Sequence, residues 1–248
     1  PDLVQVNSNS PELPLGAGPT EWVVQPVGAS PSRCMVYRGS AAGGFADVSL
    51  EMSPNDPEGF NVAYPGGSPW GVVGADYDGD GDTDLFYPCG GFNLTSPNAL
   101  LRNDADGTFT NVTDAAGMRS TVQATFSGCW FDFDRDGDLD LYETNSSSTW
   151  QVQYQGPPNP DPVDHFYRNE GDGTFTDIAP QARLDLRSNG FSCVASDLDR
   201  DGWSDLVVGC FKQYNKVFYN NRDGTFSFMA PAHNLVVSVV LDDLEPDR

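Results

Sequence analysis

Most of the hydrophobic residues of this chain lie in short runs separated by polar and glycine-rich segments. Three such runs, at residues 70–75, 127–131 and 191–196, are mostly apolar and contain glycine. Each precedes an acidic loop and then a second run rich in aromatic and branched residues, at 84–87, 138–142 and 205–208. Runs of this kind, without the 3.6-residue periodicity of an amphipathic helix, are typical of β-strands. The pattern therefore predicts an all-β protein whose acidic loops join strands.

A second pair of β-prone runs follows each acidic loop, and an Asp-Gly dipeptide separates its two halves. The segments are 101–112, 167–178 and 219–226, with a degenerate version at 37–48. Asp-Gly between β-prone runs is a strong signal for a hairpin. Each repeat is therefore predicted to contain a strand, an acidic loop, a strand, a linker and a hairpin, which together make a four-stranded antiparallel meander.

The spacing of the repeats favours a β-propeller-like array of such blades. The acidic loops begin at residues 76, 132 and 197, which are 56 and 65 residues apart, and propeller blades have comparable repeat lengths. The glycine-containing strand before each loop suits the crowded inner position of a blade. We expect a single repeat domain over residues 1–248, with approximate units at 1–60, which is partial, 66–116, 122–180 and 188–232.

The acidic loops have the composition of calcium sites. In each copy aspartates occupy positions 1, 3, 5 and 9, and glycine occupies position 6. Ca²⁺ takes six to eight oxygen ligands, alternate carboxylates in a tight loop face one centre, and glycine permits the sharp bend. Position 7 is expected to offer its backbone carbonyl, because Trp203 has no side-chain oxygen. Three ions are predicted, with ligands Asp76, Asp78, Asp80, Asp82, Asp84, Asp132, Asp134, Asp136, Asp138, Asp140, Asp197, Asp199, Asp201, Trp203 and Asp205.

Two other interpretations of these loops compete with a calcium site between strands. Solvated acidic turns use the same residue types, but three copies in one register favour metal binding. A helix-flanked EF-hand loop needs a bidentate glutamate at position 12, where this chain has Tyr87, Glu143 and Val208. The strand-like flanks favour loops that join strands.

The two ends of the chain match the two halves of one further repeat. Asp2 corresponds to position 9 of an acidic loop, and residues 235–241 resemble the inner strand. A split fourth metal site is therefore predicted from Asp2 together with Asp243, Glu245 and Asp247. Three arrangements stay open: a segment of a longer array, which ranks first, a closed four-bladed ring, and a fibre in which strands pair between molecules.

Composition and charge exclude several classes of protein. A hydrophobic share of 38%, with 12% aromatic residues, is sufficient for a packed core. The formal net charge of −23, with only 13 Lys and Arg, argues against nucleic acid as a partner. Much of this acidity is local, because 14 of the 36 acidic residues lie in the three loops. No apolar run approaches the ~18 residues of a membrane span.

Sequons and calcium loops together favour an extracellular address, either secreted or at the cell surface. The sequons begin at Asn93, Asn111 and Asn145. Of the five cysteines, Cys193 and Cys210 lie almost symmetrically about the third acidic loop. A disulfide between these two is slightly favoured over buried free thiols.

Together, the loop and the hairpin resemble the FG-GAP/VCBS repeats of integrin α chains and of secreted bacterial and algal proteins. The motif Asp-x-Asp-x-Asp-Gly-x-x-Asp-Leu begins at Asp76, Asp132 and Asp197, and Arg-Asn-x-x-x-Gly-Thr-Phe occurs at 102–109 and 168–175. The resemblance implies a propeller with calcium between the first and second strands of each blade, used in adhesion, ligand binding or scaffolding. Such propellers usually have about seven blades, whereas three full units and one split unit are counted here.

No catalytic motif accompanies the repeats, so we predict no enzymatic activity. Gly-x-Ser-x-Gly and His-Glu-x-x-His sequences are absent, and His165 and His233 are expected at the surface or in packing. The expected partner is a protein or glycan ligand. Two alternatives stay open: filaments formed head to tail through the chain ends, and a lectin that uses exposed aromatic residues such as Trp22, Trp70, Trp150 and Tyr154.

Overall fold

The fold is built almost entirely from short antiparallel strands. The computed structural model describes residues 3–5, 35–39, 45–47, 71–89, 97–118, 124–146, 163–211 and 214–229. Within these ranges the one helical element is a single turn, α1 (Ala179–Ala182). No helix in this part of the chain has the length and apolar character needed to cross a membrane. The prediction of an all-β protein is confirmed.

Three four-stranded antiparallel meanders follow a smaller sheet along the chain. The smaller sheet contains β1 (Leu3–Gln5), β2 (Met35–Gly39) and β3 (Phe45–Asp47). The first meander contains β4 (Val73–Ala75), β5 (Asp84–Tyr87), β6 (Ala99–Asn103) and β7 (Phe109–Asn111). The second contains β8 (Thr125–Phe131), β9 (Asp140–Asn145), β10 (His165–Asn169) and β11 (Phe175–Asp177). The third contains β12 (Gly190–Ser196), β13 (Asp205–Cys210), β14 (Lys216–Asn220) and β15 (Phe226–Met229).

Strand order in each meander follows the chain, so each acidic loop connects the first strand to the second. We call residues 76–84, 132–140 and 197–205 the first, second and third loops. Position 9 of each loop is also the first residue of the following strand. The predicted propeller-like architecture, four-stranded blades with acidic loops between strands one and two, is confirmed.

The pairing register repeats from sheet to sheet. The residue after position 9 pairs with the third strand in the same way each time: Leu85 with Leu101, Leu141 with Tyr167, and Leu206 with Phe218. The smaller sheet pairs Leu3 with Tyr37 in the equivalent way. Its strands therefore correspond to strands two to four of a meander. The predicted completing strand at 235–241 lies outside the described residues.

Consecutive meanders share their hydrophobic cores. One cluster joins Phe86 and Leu100 of the first meander to Leu141, Tyr167 and Phe175 of the second. Another joins the second meander to the third, through Phe131, Phe166, Leu206, Phe218 and Phe226. Because the apolar surface of one meander is buried against the next, each meander depends on its neighbours for stability.

The register corrects the expected disulfide between Cys193 and Cys210. Cys193 lies opposite Val208, while Cys210 lies opposite Gly190, because the pairing shifts between Gly190 and Ser192. The Cys193 thiol lies 3.9 Å from the Tyr142 carbonyl oxygen of the second meander. The four described cysteines are free thiols. Symmetric counting about the third loop missed the shift in pairing between β12 and β13. It also missed that the Cys193 side chain faces the second meander.

Candidate metal centre

Two left-handed residues give each loop its curl. Glycine at position 6 has a φ of 98° in the first loop, 99° in the second and 88° in the third. Position 4 is also left-handed, with φ of 73° at Gly79, 65° at Arg135 and 64° at Arg200. The conformation at position 6 agrees with the sequence analysis, but position 4 was not anticipated. A non-glycine residue in this region costs about 1–2 kcal/mol, so the surrounding hydrogen bonds must hold it.

Hydrogen bonds within each loop fix the carboxylates at positions 1 and 5. The position 6 N–H donates to Oδ2 of position 1, over 3.1 Å to Asp76, 3.2 Å to Asp132 and 2.8 Å to Asp197. The position 7 N–H donates to Oδ1 of position 5 over 2.9, 3.0 and 2.8 Å in the three loops. The three loops therefore share one internal geometry.

Each loop brings three carboxylates together. In the first and third loops these are positions 1, 3 and 9, and in the second they are positions 1, 3 and 5. In every group one oxygen from each residue lies within 4.8 Å of the others; the groups are Asp76, Asp78 and Asp84; Asp132, Asp134 and Asp136; Asp197, Asp199 and Asp205. Such clusters of hard oxygen donors suit Ca²⁺.

The other predicted ligands lie outside these three groups. They are Asp80, Asp82, Asp138, Asp140, Asp201 and Trp203. Asp201 forms an ion pair with Arg222, whose NH2 atom lies 2.5 Å from Oδ2. The components of the split fourth site, Asp2, Asp243, Glu245 and Asp247, fall outside the described residues.

The first loop also contains a buried oxygen that fits a cation. Oδ1 of Asp76 is inaccessible to solvent and has no hydrogen-bond partner among the described residues. A buried carboxylate oxygen without a partner is unfavourable. A bound divalent cation would satisfy it, and the donor set around it consists of oxygens. The residues present therefore fit calcium.

Burial and mutual repulsion raise the pKa values of carboxyls at position 9. Burial is the main cause that raises the pKa of Asp84 to about 6, and the nearby Asp78 and Asp80 add to it. Burial likewise raises the pKa of Asp140 to about 7, with Asp134 and Asp136 contributing. These shifts mark loops in which negative charges are crowded and partly desolvated. A divalent cation would offset both effects.

The carboxylate at position 9 joins its loop to the third strand of the same meander. One oxygen accepts the N–H of position 2: Tyr77 to Asp84 over 3.2 Å, Phe133 to Asp140 over 3.0 Å, and Leu198 to Asp205 over 2.9 Å. The other accepts the N–H of an asparagine at the end of the third strand. These bonds are 2.8 Å from Asn103, 2.9 Å from Asn169 and 2.8 Å from Asn220.

The three asparagines were not singled out from the sequence. The signal was present, because each lies four residues before the glycine of its Asp-Gly hairpin, at 107, 173 and 224. Each side chain donates to the position 8 carbonyl of its own loop: Thr83 at 3.2 Å, Leu139 at 3.2 Å and Ser204 at 3.3 Å. Each asparagine thus bonds both position 8 and position 9, the two residues at which its loop joins the second strand.

Glu143, the position 12 residue of the second loop, is not near the carboxylate cluster. It is buried near the opposite end of β9 and accepts hydrogen bonds from Asn98 at 2.8 Å and Asn145 at 3.2 Å. His165 is also buried there, with Nδ1 2.9 Å from Oδ2 of Asp177. These contacts argue against an EF-hand ligand role for Glu143. His165 is buried in packing, one of the two places expected for it, the other being the surface.

Asp164 lies in the same buried polar region, and its pKa is raised. It accepts hydrogen bonds from the Tyr142 hydroxyl at 2.8 Å, the Ser188 hydroxyl at 2.5 Å and the Asn145 N–H at 2.7 Å. Burial nevertheless raises the pKa of Asp164 to about 6. The folded protein therefore holds this proton more tightly than the unfolded chain does.

We expect Asp164 to make stability fall as the pH rises from about 4 to about 6. Its contribution is fully present below the unfolded pKa and is lost as the pH passes the folded pKa. A pKa raised from 3.8 to about 6 corresponds to roughly 3 kcal/mol of stability. Urea unfolding of wild type and Asp164→Asn should therefore give a free-energy difference that moves by this amount between pH 4 and pH 7. Asp172→Asn, in an exposed turn, is the control, and a difference independent of pH for Asp164→Asn would contradict the prediction.

The remaining predicted site residues have different surroundings. Asn111 is exposed, which is compatible with a glycan, and Asn93 lies outside the described residues. Asn145 is fully buried, and its side-chain nitrogen donates to Glu143 and to the Val163 carbonyl. This structure therefore argues against a glycan on Asn145, which corrects that expectation. His233 and the candidate lectin aromatics Trp22, Trp70, Trp150 and Tyr154 fall outside the described residues.

Comparison with known proteins agrees with the repeat architecture. Cartilage acidic protein 1 of Xenopus tropicalis is 26% identical over 147 residues, which cover 59% of this chain. The matched region is only 18% of that protein's length. The sequence profile of the FG-GAP-like repeat matches residues 154–208 and 197–244, and both matches include the third loop. Residues 154–244 of this chain are therefore similar to FG-GAP-like repeats.

Proposed function

We propose that this chain is an extracellular, calcium-stabilised repeat module that acts in adhesion, ligand binding or scaffolding without catalysis. The observation that carries the proposal is the recurrence of a loop with three clustered carboxylates between strands one and two of three successive meanders. Extracellular calcium is millimolar, so loops of moderate affinity would stay filled there. FG-GAP-like repeats and the similarity to cartilage acidic protein 1 support the same address.

In this proposal the chain's own residues hold the ions at fixed points of the fold. Carboxylates at positions 1, 3 and 5 or 9 would bind calcium, which supplies positive charge to an otherwise repulsive cluster. Position 9 also anchors the loop to the third strand through the asparagine N–H. Calcium would thus brace the first hairpin of each meander.

Calcium stoichiometry tests the proposal. Isothermal titration of the wild type should give three bound ions, or four if the split site at the chain ends also forms. Asp134→Ala removes one carboxylate of the second cluster and should reduce the number by one. The matched control is Asp172→Ala in the hairpin turn of the same meander, where Asp172 bonds only Thr174 among the described residues. No binding at millimolar calcium, or an unchanged count in Asp134→Ala, would contradict the proposal.

A second candidate function is head-to-tail assembly through strand exchange. The smaller sheet has the order β1-β2-β3, and among the described residues no strand lies on the outer side of β1. In the meanders that side holds the first strand, so an edge of this kind accepts a strand from the same or another molecule. Electron microscopy with and without calcium separates filaments from single particles.

A further inference from the structure

We infer that buried asparagines couple the loops of neighbouring meanders, so that cation binding at one loop raises the affinity of the next. This inference rests on the proposed calcium binding and adds a mechanism to it. Two side chains carry it, Asn169 and Asn220, and each one reaches the loop of the preceding meander. The geometry joins the three loops in series.

The first connection links the first and second loops. The Asn169 side-chain nitrogen donates over 2.8 Å to the carbonyl oxygen of Tyr77, at position 2 of the first loop. The N–H of Tyr77 in turn donates to Asp84, and the N–H of Asn169 donates to Asp140. Tyr77 and Asn169 therefore connect Asp84 of the first loop to Asp140 of the second.

The second connection repeats this arrangement one meander later. The Asn220 side-chain nitrogen donates over 2.8 Å to the carbonyl oxygen of Phe133, at position 2 of the second loop. The N–H of Phe133 donates to Asp140, and the N–H of Asn220 donates to Asp205. The same three contacts in two copies indicate a property of the repeat rather than of one site.

Each connection has little freedom to move. Asn169 is 3% exposed and Asn220 is 6% exposed. In both, the side-chain nitrogen also donates to position 8 of its own loop, so it contacts two loops at once. If one of these hydrogen bonds breaks, either the buried side-chain N–H group or the carbonyl that it bonded has no partner. An unpaired buried polar group costs free energy. Ordering one loop therefore favours the ordered form of the other.

The first meander provides an internal control. Asn103 occupies the equivalent position and makes the same bonds within its own meander, to Asp84 and to the Thr83 carbonyl. Among the described residues it donates to no neighbouring loop. Asn103→Ala therefore removes the side-chain bond to the Thr83 carbonyl and keeps the backbone N–H bond to Asp84. It removes no connection among the three described loops.

Loops one and two make the cleaner pair for a test. The second and third loops touch at a further point, because the guanidinium of Arg135 lies 5.2 Å from the ring centre of Trp203. This contact provides a second route between them. Gly81 offers a local reporter for the first loop, because its N–H donates to Asp76.

The experiment is a double-mutant cycle on the full chain, with calcium titrated and the amide chemical shift of Gly81 followed by NMR. Asp134→Ala disables the second loop and should weaken calcium binding at the first loop at least about fivefold, the lower end of typical coupling. In an Asn169→Ala background, Asp134→Ala should weaken calcium binding at the first loop less than about twofold. In an Asn103→Ala background, the first loop should bind calcium more weakly than in the wild type. The further weakening caused by Asp134→Ala should remain.

The outcomes separate the coupling from the proposed function. If Gly81 does not respond to millimolar calcium in the wild type, the proposed function itself fails. If Gly81 responds but Asp134→Ala leaves its affinity unchanged, or shifts it equally with and without Asn169, only the coupling is overturned. Should Asn169→Ala fail to fold, Asn220→Ala with Gly202 as reporter tests the second connection, in a Trp203→Ala background that removes the contact with Arg135. There the shift should shrink, and an undiminished shift would overturn the coupling.

Discussion

Removing calcium with excess chelator is expected to lower the melting temperature of this protein by about 10 °C or more. At ten times its dissociation constant, each ion stabilises the folded state by about 1.4 kcal/mol, so three ions contribute about 4 kcal/mol. For a chain of this size, 1 kcal/mol corresponds to roughly 2–4 °C. The physical cause is crowding of three carboxylates within 4.8 Å in each loop, which repel one another without a cation. Thermal unfolding followed by circular dichroism measures the effect.

Magnesium provides the control for the chelation experiment. Mg²⁺ has the same charge but needs a smaller, near-ideal octahedral site. Adding magnesium at the same ionic strength should therefore restore only a small part of the lost melting temperature, whereas calcium should restore all of it. An unchanged melting curve after chelation would show that the acidic loops hold their shape without metal.

Local sequence signals were sufficient to predict the repeated unit. Alternating aspartates with glycine at position 6 fix the loop, because the curl depends on residues within the loop itself. Asp-Gly turns likewise fix the second hairpin, and Thr108, Thr174 and Thr225 each donate back to the aspartate before the glycine. Short-range hydrogen bonds of this kind can be inferred from residue type and spacing alone.

Contacts between meanders could not be inferred in the same way. Asn169 donates to Tyr77, 92 residues away in sequence, and Asn220 donates to Phe133, 87 residues away. The side chain of Cys193 faces the second meander rather than its own hairpin partner strand. Which residue meets which across two sheets depends on how the sheets pack, and no local pattern specifies that packing. The missed asparagines and the wrong disulfide have this common origin.

A single substitution in the core between the second and third meanders should cost much stability. Phe166 is fully buried and lies among aromatic rings from both sheets. Its ring centre is 4.9 Å from that of Phe133, 5.5 Å from Phe131 and 6.1 Å from Phe226. Phe166→Ala leaves a cavity between two sheets. The sheets cannot close it without losing their other contacts.

We therefore expect Phe166→Ala to lower the free energy of unfolding by about 3–5 kcal/mol, measured by urea denaturation in saturating calcium. Phe228→Ala is the matched control, because Phe228 is an aromatic residue of the third meander that is 56% exposed. It should cost less than about 1 kcal/mol. Because the core is shared, Phe166→Ala should reduce amide hydrogen-exchange protection in β13 and β14 as well as in β9 and β10. Loss of protection in the second meander alone would mean that the two sheets do not stabilise each other through this core.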